Sequence, residues 1–466
     1  MSTPEGASAG PGSPDAPPAE SVAAPKRALA IVVGIVFVDL LGFGVVIPIL
    51  PFYVRSFATS DVFIGLLAAS YSMMQFLSAP LLGRVSDSRG RRPVLMLSLA
   101  GNTVAWTVFG LGTQVGLLFG TVPALATLFA SRMLAGAMGG NIATAQAYIA
   151  DVTPADRRAA ALGLVGAAFG LGFVFGPAIG GVFASEEVVA TARAVLPGFV
   201  PATRFSLPSF AAAFFSLVAF ASAAAFLPEP DRIRSAANRT TLVGQFTDAL
   251  SDPSLRAFVV SFFLVSVAFS GVQVMFIPYA ADLYGYDETQ TALLLSYVGV
   301  LSILNQGVVV GRLSRRYGER TVAVAGAAIL AVALAALPFS HALGSVVPGV
   351  GGPAWLTAPV LALLLVLAGL SLGNSLLNVA LSTLVSRSVP ADRQGNAFGV
   401  TQGAGSLGRT VGPPSMAALY VLAYWSPFVA GAVLVVPVVA ILAVGTARIA
   451  RYGDDDGRRE ADAREK

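Results

Sequence analysis

The sequence has no cysteine and a single histidine, His341, among 466 residues. The first absence excludes a disulfide framework and any thiolate metal site. The second excludes paired-histidine metal motifs. Charge is scarce as well. Asp, Glu, Lys and Arg make up 12% of the chain, against about 25% in an ordinary soluble domain. Net charge is only +4, so no nucleic-acid partner is expected from bulk attraction. What the chain has instead is apolar length. Hydrophobic residues make up 55%, and they come in runs long enough to cross a bilayer, for which about 20 apolar residues are needed.

Twelve such runs lie at about 29–52, 63–83, 93–112, 122–149, 157–183, 207–227, 257–280, 288–311, 321–341, 357–385, 394–421 and 425–448. They predict an all-α membrane protein of twelve transmembrane helices in two six-helix halves. The runs are rich in Gly, Ala and Ser, which suits close helix packing in lipid. A closed barrel is excluded, because its strands would alternate over about ten residues.

Basic residues orient the bundle. With the N-terminus inside, 24 of the 29 Lys and Arg fall in inner segments and three, Arg55, Arg193 and Arg204, in outer loops. That bias predicts a multi-pass protein of the cytoplasmic membrane with both termini in the cytoplasm. The expected organisation is a disordered tail over 1–27, one six-helix bundle over 28–227, a linker over 228–256, a second bundle over 257–448 and a tail over 449–466. In the linker, "TLVGQFTDAL" (241–250) reads as a short amphipathic helix on the inner face.

The halves repeat one another. Gly83, Arg84, Ser86, Gly90 and Arg92 recur 228 residues on as Gly311, Arg312, Ser314, Gly318 and Arg320. "PADR" at 154–157 recurs at 390–393, and Gly163, Gly172, Gly176 and Pro177 recur as Gly399, Gly408, Gly412 and Pro413. Two parallel repeats place a substrate near the midplane, between halves that rock around it.

With these landmarks the chain resembles the major facilitator superfamily, in its twelve-span drug–proton antiporter branch. "GRVSDSRGRRP" matches the signature between spans two and three, and "SRMLAGAMGGNIATAQAYIADVTP" the span-four signature. "GLVGAAFGLGFVFGPAIGG" matches the span-five antiporter signature in Gly163, Gly172, Gly176, Pro177, Gly180 and Gly181, and "DLLGFGVVIPILPFY" the span-one motif. The resemblance covers about residues 28–448. It implies a secondary active transporter that exports amphipathic small molecules in exchange for protons. The expected energy source is the proton gradient, without a bound cofactor, and the expected partners are the substrate, protons and the bilayer, with the monomer as working unit. Two alternatives stay open: a facilitator or importer of a metabolite on the same fold, and a membrane sensor or scaffold that transports nothing. No catalytic constellation is present.

The signatures also have a physical reading. Gly83 and Gly90 flank a turn where glycine supplies backbone freedom. Asp87 stands four residues before Arg91, within pairing reach on a helix. The resemblance adds that Asp87 meets the start of span eleven and that Arg91 reaches an acid at the inner end of span four, here Asp151, so that the cluster latches the outward-open state. Arg315 replaces Asp87 in the second copy, so only the first half is expected to carry a full latch. In span five the glycines thin one helix face for packing that also seals the halves, and Pro177 permits a kink. Gly403, Gly405 and Gly408 spell GxGxxG, but inside an apolar span that is a small-residue helix face.

Asp39 is the only acid deep in a span, about 15 Å along span one. The resemblance assigns it to proton coupling. Arg132 is the natural partner across the first bundle, either in a pair that changes with conformation or in a fixed structural one. Asn141, Gln146, Gln273, Asn305, Asn378, Gln402 and Arg409 are candidate cavity residues. Arg409 has no evident acidic partner, and an anion contact is its other reading. The span-one, span-four and span-five signatures are close to those of tetracycline efflux proteins. Those carry an aspartate in span three where this chain has Ala105, so an apolar drug or a metabolite is expected rather than metal–tetracycline.

Overall fold

The computed structural model describes residues 25–230, 251–346, 353, 355–389 and 394–444. The two tails beyond them and the linker helix expected at 241–250 lie outside the described residues. Every regular element among the described residues is helical. Among the described residues, eleven helices are long and apolar enough to cross a membrane. In chain order, spans one to six are Lys26–Val46, Val62–Arg89, Arg91–Gly110, Thr121–Val152, Ala160–Ala184 and Ser206–Phe226. Spans seven to ten are Leu255–Tyr284, Glu288–Tyr317, Glu319–Leu343 and Ala358–Ser388, and span twelve is Ser426–Val444. Span eleven, Gln394–Leu422, has the length, but its Gln, Gly, Ser, Arg and two Pro residues leave it less apolar than the others. A helix of that composition belongs inside a bundle, where neighbours satisfy its polar groups.

Local breaks have local causes. Span one stops at Val46, and a separate turn of helix, Leu50–Arg55, follows between Pro48 and Ser56. The continuous helix expected to residue 52 is therefore interrupted, since Pro48 and Pro51 both remove backbone donors. Span four divides at Gly139 and Gly140 into Thr121–Gly139 and Ile142–Val152. Span eight carries a π-helical turn at Asn305–Val309. Two short helices that the apolar pattern did not reveal, Gly112–Phe119 and Glu186–Val195, cover the ends of spans three and five.

Close approach at small residues joins the spans. A Cβ on Gly326 of span nine would stand 2.6 Å from the Leu377 nitrogen, and one on Gly373 of span ten 2.5 Å from the Leu330 nitrogen. Real Cβ atoms do not occupy such positions, so these helices touch backbone to backbone.

That contact gives a first prediction. Gly373→Val overpacks the span nine–ten seam and should cost about 1–3 kcal/mol, seen as a lower melting temperature and lower folded abundance. Gly369→Ala, where a Cβ meets only Ala333 Cβ at 3.6 Å, should change neither.

Candidate functional site: a central crevice and its closures

The seam between span five and span eight defines the crevice. At the face opposite the N-terminus, Thr289 Oγ1 donates to the Gly181 carbonyl at 3.0 Å and Ser296 Oγ to the Val174 carbonyl at 3.1 Å. A Cβ on Gly299 would lie 2.9 Å from the Phe173 oxygen, and one on Gly170 3.0 Å from Ile303. Beyond that level the same two helices part. Cβ atoms on Gly163 and Gly166 of span five, or on Gly307 and Gly311 of span eight, would meet nothing within 4 Å. The halves therefore form a V, closed at the opposite face and open toward the face where span one begins.

Charges reinforce the closed end. Arg55 forks onto two carboxylates. Its Nε and Nη2 reach Asp61 at 2.8 and 2.7 Å, and its Nη1 and Nη2 reach Asp282 at 2.7 and 2.9 Å. Asp282 belongs to the other half, where the Tyr420 hydroxyl also donates to it at 2.7 Å. The hydrogen bonds to Asp61, then to Asp282, hold the Arg55 guanidinium above its usual range against the cost of burial. A second bridge between the halves joins Arg204 to Glu288 at 3.5 Å. In the sequence Arg55 and Arg204 stand out only as outer-loop charges. Nothing local marks a residue whose partner is 227 positions away.

At the apex of the V lies a cavity of about 400 Å³, within the range of small-molecule sites. Phe169, Phe173, Phe269 and Phe276 form its apolar walls, and its polar lining includes Gln273, Gln306, Asn374 and Asn378. The π-helical turn brings Gln306 to this wall, and Asn305 beside it donates to Ser371 Oγ at 3.4 Å. Gln273 and Asn378, two of the candidate cavity residues, are on this wall. Gln146 and Gln402 are exposed and line no part of this cavity. Asn305 and Arg409 are also absent from its wall.

Asn141 is a different correction. It is 1% exposed, and its amide donates to Asp39 Oδ2 at 2.6 Å, while Asn102 donates to Oδ1 at 2.8 Å. The Gly139–Gly140 break puts Asn141 at the start of the second segment of span four, level with Asp39. The expected Asp39–Arg132 ion pair is not formed. Arg132 lies in an aromatic box instead, its guanidinium 4.6 Å from the Tyr71 ring centre, 5.6 Å from Phe43 and 5.9 Å from Trp106. Its Nε and Nη1 have no hydrogen-bond partner, so ring faces rather than a carboxylate neutralise it. Ala105 is fully buried and its carbonyl accepts from Ser131 at 2.8 Å.

The loop cluster assembles as expected in the first half. Arg91 reaches Asp87 at 2.5 Å, Asp151 at 3.1 Å and Ser86 Oγ at 2.6 Å. Gly90 has φ +118°, which requires glycine. Gly83 is inside a helix, with open space where its Cβ would be, so it supplies no turn. The contact expected between Asp87 and the start of span eleven involves positions outside the described side chains. Glu229 was missed. Its carboxylate accepts from the Arg91 and Arg92 nitrogens at 2.7 and 2.9 Å and caps span three, where the helix dipole favours an anion.

The second half holds part of the cluster. It carries its own pair, Glu319–Arg387 at 2.9 Å. Glu319 is 228 residues after Arg91, and Arg387 is 236 after Asp151, the two offsets of the repeat. Arg315 stands for Asp87, so the three charges are exchanged in sign, and of the two ion pairs of the first half the described residues of the second show one. The repeated arginines do equivalent work: Arg92 donates to the Ala224 carbonyl at 2.7 Å, at the end of span six, and Arg320 to the Leu442 and Ala443 carbonyls near the end of span twelve.

The span-five signature packs in two directions. Cβ atoms on Gly172 and Gly176 would meet Leu40 and Gly44 of span one, at 2.7 Å each, and Gly180 lies against Val45. Gly181 faces Ala292 of the other half at 2.7 Å, and Pro177 lines the cavity. In GxGxxG, Gly408 packs on Ser266 and Phe263 of span seven, as a small-residue face would.

Two six-helix halves around a one-sided crevice define a transporter of the alternating-access type. The chain matches the Major Facilitator Superfamily over residues 32–413. It is 32% identical to the class C tetracycline resistance protein of Escherichia coli over 400 residues, covering 85% of this chain and 90% of that one. It is 25% identical to Multidrug resistance protein 2 of Bacillus subtilis (strain 168) over 425 residues, 90% and 95% of the two chains. A crystal structure of a bacterial homolog of the human lysosomal transporter Spinster, inward-facing and occupied, shares the fold at TM-score 0.69 and 15% identity, covering 91% of this chain and 97% of that one. The chain belongs to the Major Facilitator Superfamily and is a multi-pass membrane transporter.

The Arg55 bridge can be tested in a chain without native cysteine. A partly exposed ion pair contributes about 0.2–1 kcal/mol, and one such pair, Arg55–Asp282, crosses between the halves through Arg55, so Arg55→Gln should raise the population open at the opposite face by up to about fivefold. In a Ser296→Cys background, that appears as a several-fold faster maleimide reaction. An unchanged rate means that the helix seam and the Arg204–Glu288 bridge hold this face shut without Arg55.

Proposed function

We propose that this protein exports amphipathic small molecules in exchange for protons, with both termini in the cytoplasm. The observation that carries this reading is the combination of a crevice open on one face with a deep carboxylate beside it, held only by amides. The Lys/Arg bias of the loops makes the N-terminal face cytoplasmic. The conformation is then inward-open, ready to load substrate from the cytoplasm. Relatives named for tetracycline and multidrug resistance favour export over uptake or a non-transporting role. Ala105, buried against Ser131, offers no group for a metal-bound substrate.

Asp39 suits a proton site because its neighbours serve either form. A carboxylate accepts from the two amide nitrogens, as observed. The amide oxygens of Asn102 and Asn141 are buried and have no donor. A protonated Asp39 can donate to one of them after that amide turns over. Neither state leaves the acid without partners, so the proton can be exchanged at low cost in a place where a bare charge is expensive. Coupling then runs through amides rather than through a direct pair with Arg132.

Asp39→Asn fixes the neutral form and keeps the size. Purified protein in proteoliposomes should lose gradient-driven uphill transport by at least tenfold while retaining substrate binding and downhill exchange. Abundance should stay near that of the parent, because an amide can still bond to Asn102 and Asn141. Normal uphill transport by a well-folded Asp39→Asn protein would remove Asp39 from the coupling step.

A further inference from the structure

Charge at depth does not balance. Among the described residues three side chains of the charged types lie well inside the spans: Asp39, Arg132 and Arg409. Two are cations and one is an acid. Asp39 is held by its two asparagines and Arg132 by its aromatic box. Arg409, on span eleven, has neither arrangement. Its one hydrogen bond runs from Nη2 to Ser406 Oγ at 2.8 Å, one turn back on its own helix. No carboxylate lies within ion-pair distance of it and no aromatic ring faces it among the described residues. A guanidinium in that position is expensive unless something anionic completes it.

Its place in the crevice points to what that is. Arg409 is partly exposed and stands one turn before the place where span eleven packs on span two of the first half, where a Cβ on Gly65 would run into the Pro413 carbonyl. Gly405, one turn back, lies 3.3 Å from Ser266 Oγ as measured from an added Cβ. Ser266, Phe269 and Gln273 follow at helical spacing on one face of span seven, and the last two line the cavity. The guanidinium thus stands one to two turns from the cavity, on its open side. The cavity wall itself holds phenylalanines and amides but no charged side chain. A cationic substrate would meet no counter-charge there, with Asp39 8% exposed behind two asparagines.

We propose that the exported molecule is an organic anion, with an apolar ring body in the phenylalanine cavity and a carboxylate or sulfonate at Arg409. This rests on the transport reading above and adds the sign of the charge. A planar guanidinium suits two-point contact with such groups. Arg132 adds positive potential behind Tyr71 without touching the ligand.

The test uses the full chain and matched ring compounds that differ only in charge: 2-naphthoate, 2-naphthamide and 2-naphthylmethylammonium, with anthracene analogues of each. Binding to purified protein should favour the anion over its amide by tenfold or more. Arg409→Gln should erase that preference, and Arg409→Lys should keep part of it. Because Arg409 has no acidic partner, Arg409→Gln should leave the melting temperature unchanged or raise it, so loss of binding is not loss of fold. Equal affinity for anion and amide, preference for the cation, or no binding of any anion overturns the proposal. Gradient-driven movement of neutral or cationic compounds alone would overturn it while leaving the export reading intact. Failure of well-folded protein to move any compound would count against export itself.

Discussion

Everything in this protein depends on how closely two helix backbones can approach where no side chain intervenes. In lipid there is no hydrophobic drive between helices, so packing contact has to supply the adhesion. The span five–eight seam shows the consequence. Where Gly181 and Gly299 meet the opposite helix, the halves touch. Where Gly163, Gly166, Gly307 and Gly311 face open space, they do not. Small residues line both stretches, so no side chain at these glycines stands between the two helices at either end.

Ion pairs are laid over that packing at the two faces, and the midplane follows another rule. At the faces, carboxylates and guanidiniums are partly hydrated and form bridges that exchange readily: Arg55 with Asp61 and Asp282, Arg91 with Asp87 and Asp151, Glu319 with Arg387. At depth, direct pairing is avoided. Asp39 is solvated by amides and Arg132 by ring faces, although both lie in the first bundle. A tight buried pair would be costly to break in each cycle. Amides and π-faces neutralise charge more weakly than a direct pair does.

The duplication kept geometry and exchanged sign. Arg91 and Asp151 in one half stand where Glu319 and Arg387 stand in the other, at nearly the same separation, 3.1 and 2.9 Å. Arg92 and Arg320, unchanged in sign, hold the ends of spans six and twelve. The loops therefore carry more than the positive charge that orients the bundle. They tie the helix ends of each half together at the face where span one begins, as a rocking mechanism requires.

The sequence by itself determined the spans, the repeat, the family likeness and the residues that matter at depth. All of these are written in apolar length, in fixed offsets and in the rarity of charge. Asp39, Arg132 and Arg409 stand out because a charge in an apolar run is conspicuous whatever it touches. Partners were another matter. That Asp39 meets Asn102 and Asn141 depends on a break at Gly139–Gly140 and on the relative rotation of spans one, three and four. That Arg55 meets Asp282 depends on the halves being closed at that face. That Glu229 caps span three depends on where the chain leaves span six. The same holds for Gln146 and Gln402, polar residues within spans that do not line the cavity. Periodicity tells which side chains share a face of one helix, but not which helix that face meets. Only the packing of the bundle, set by backbone contact at glycines far apart in the chain, decided that.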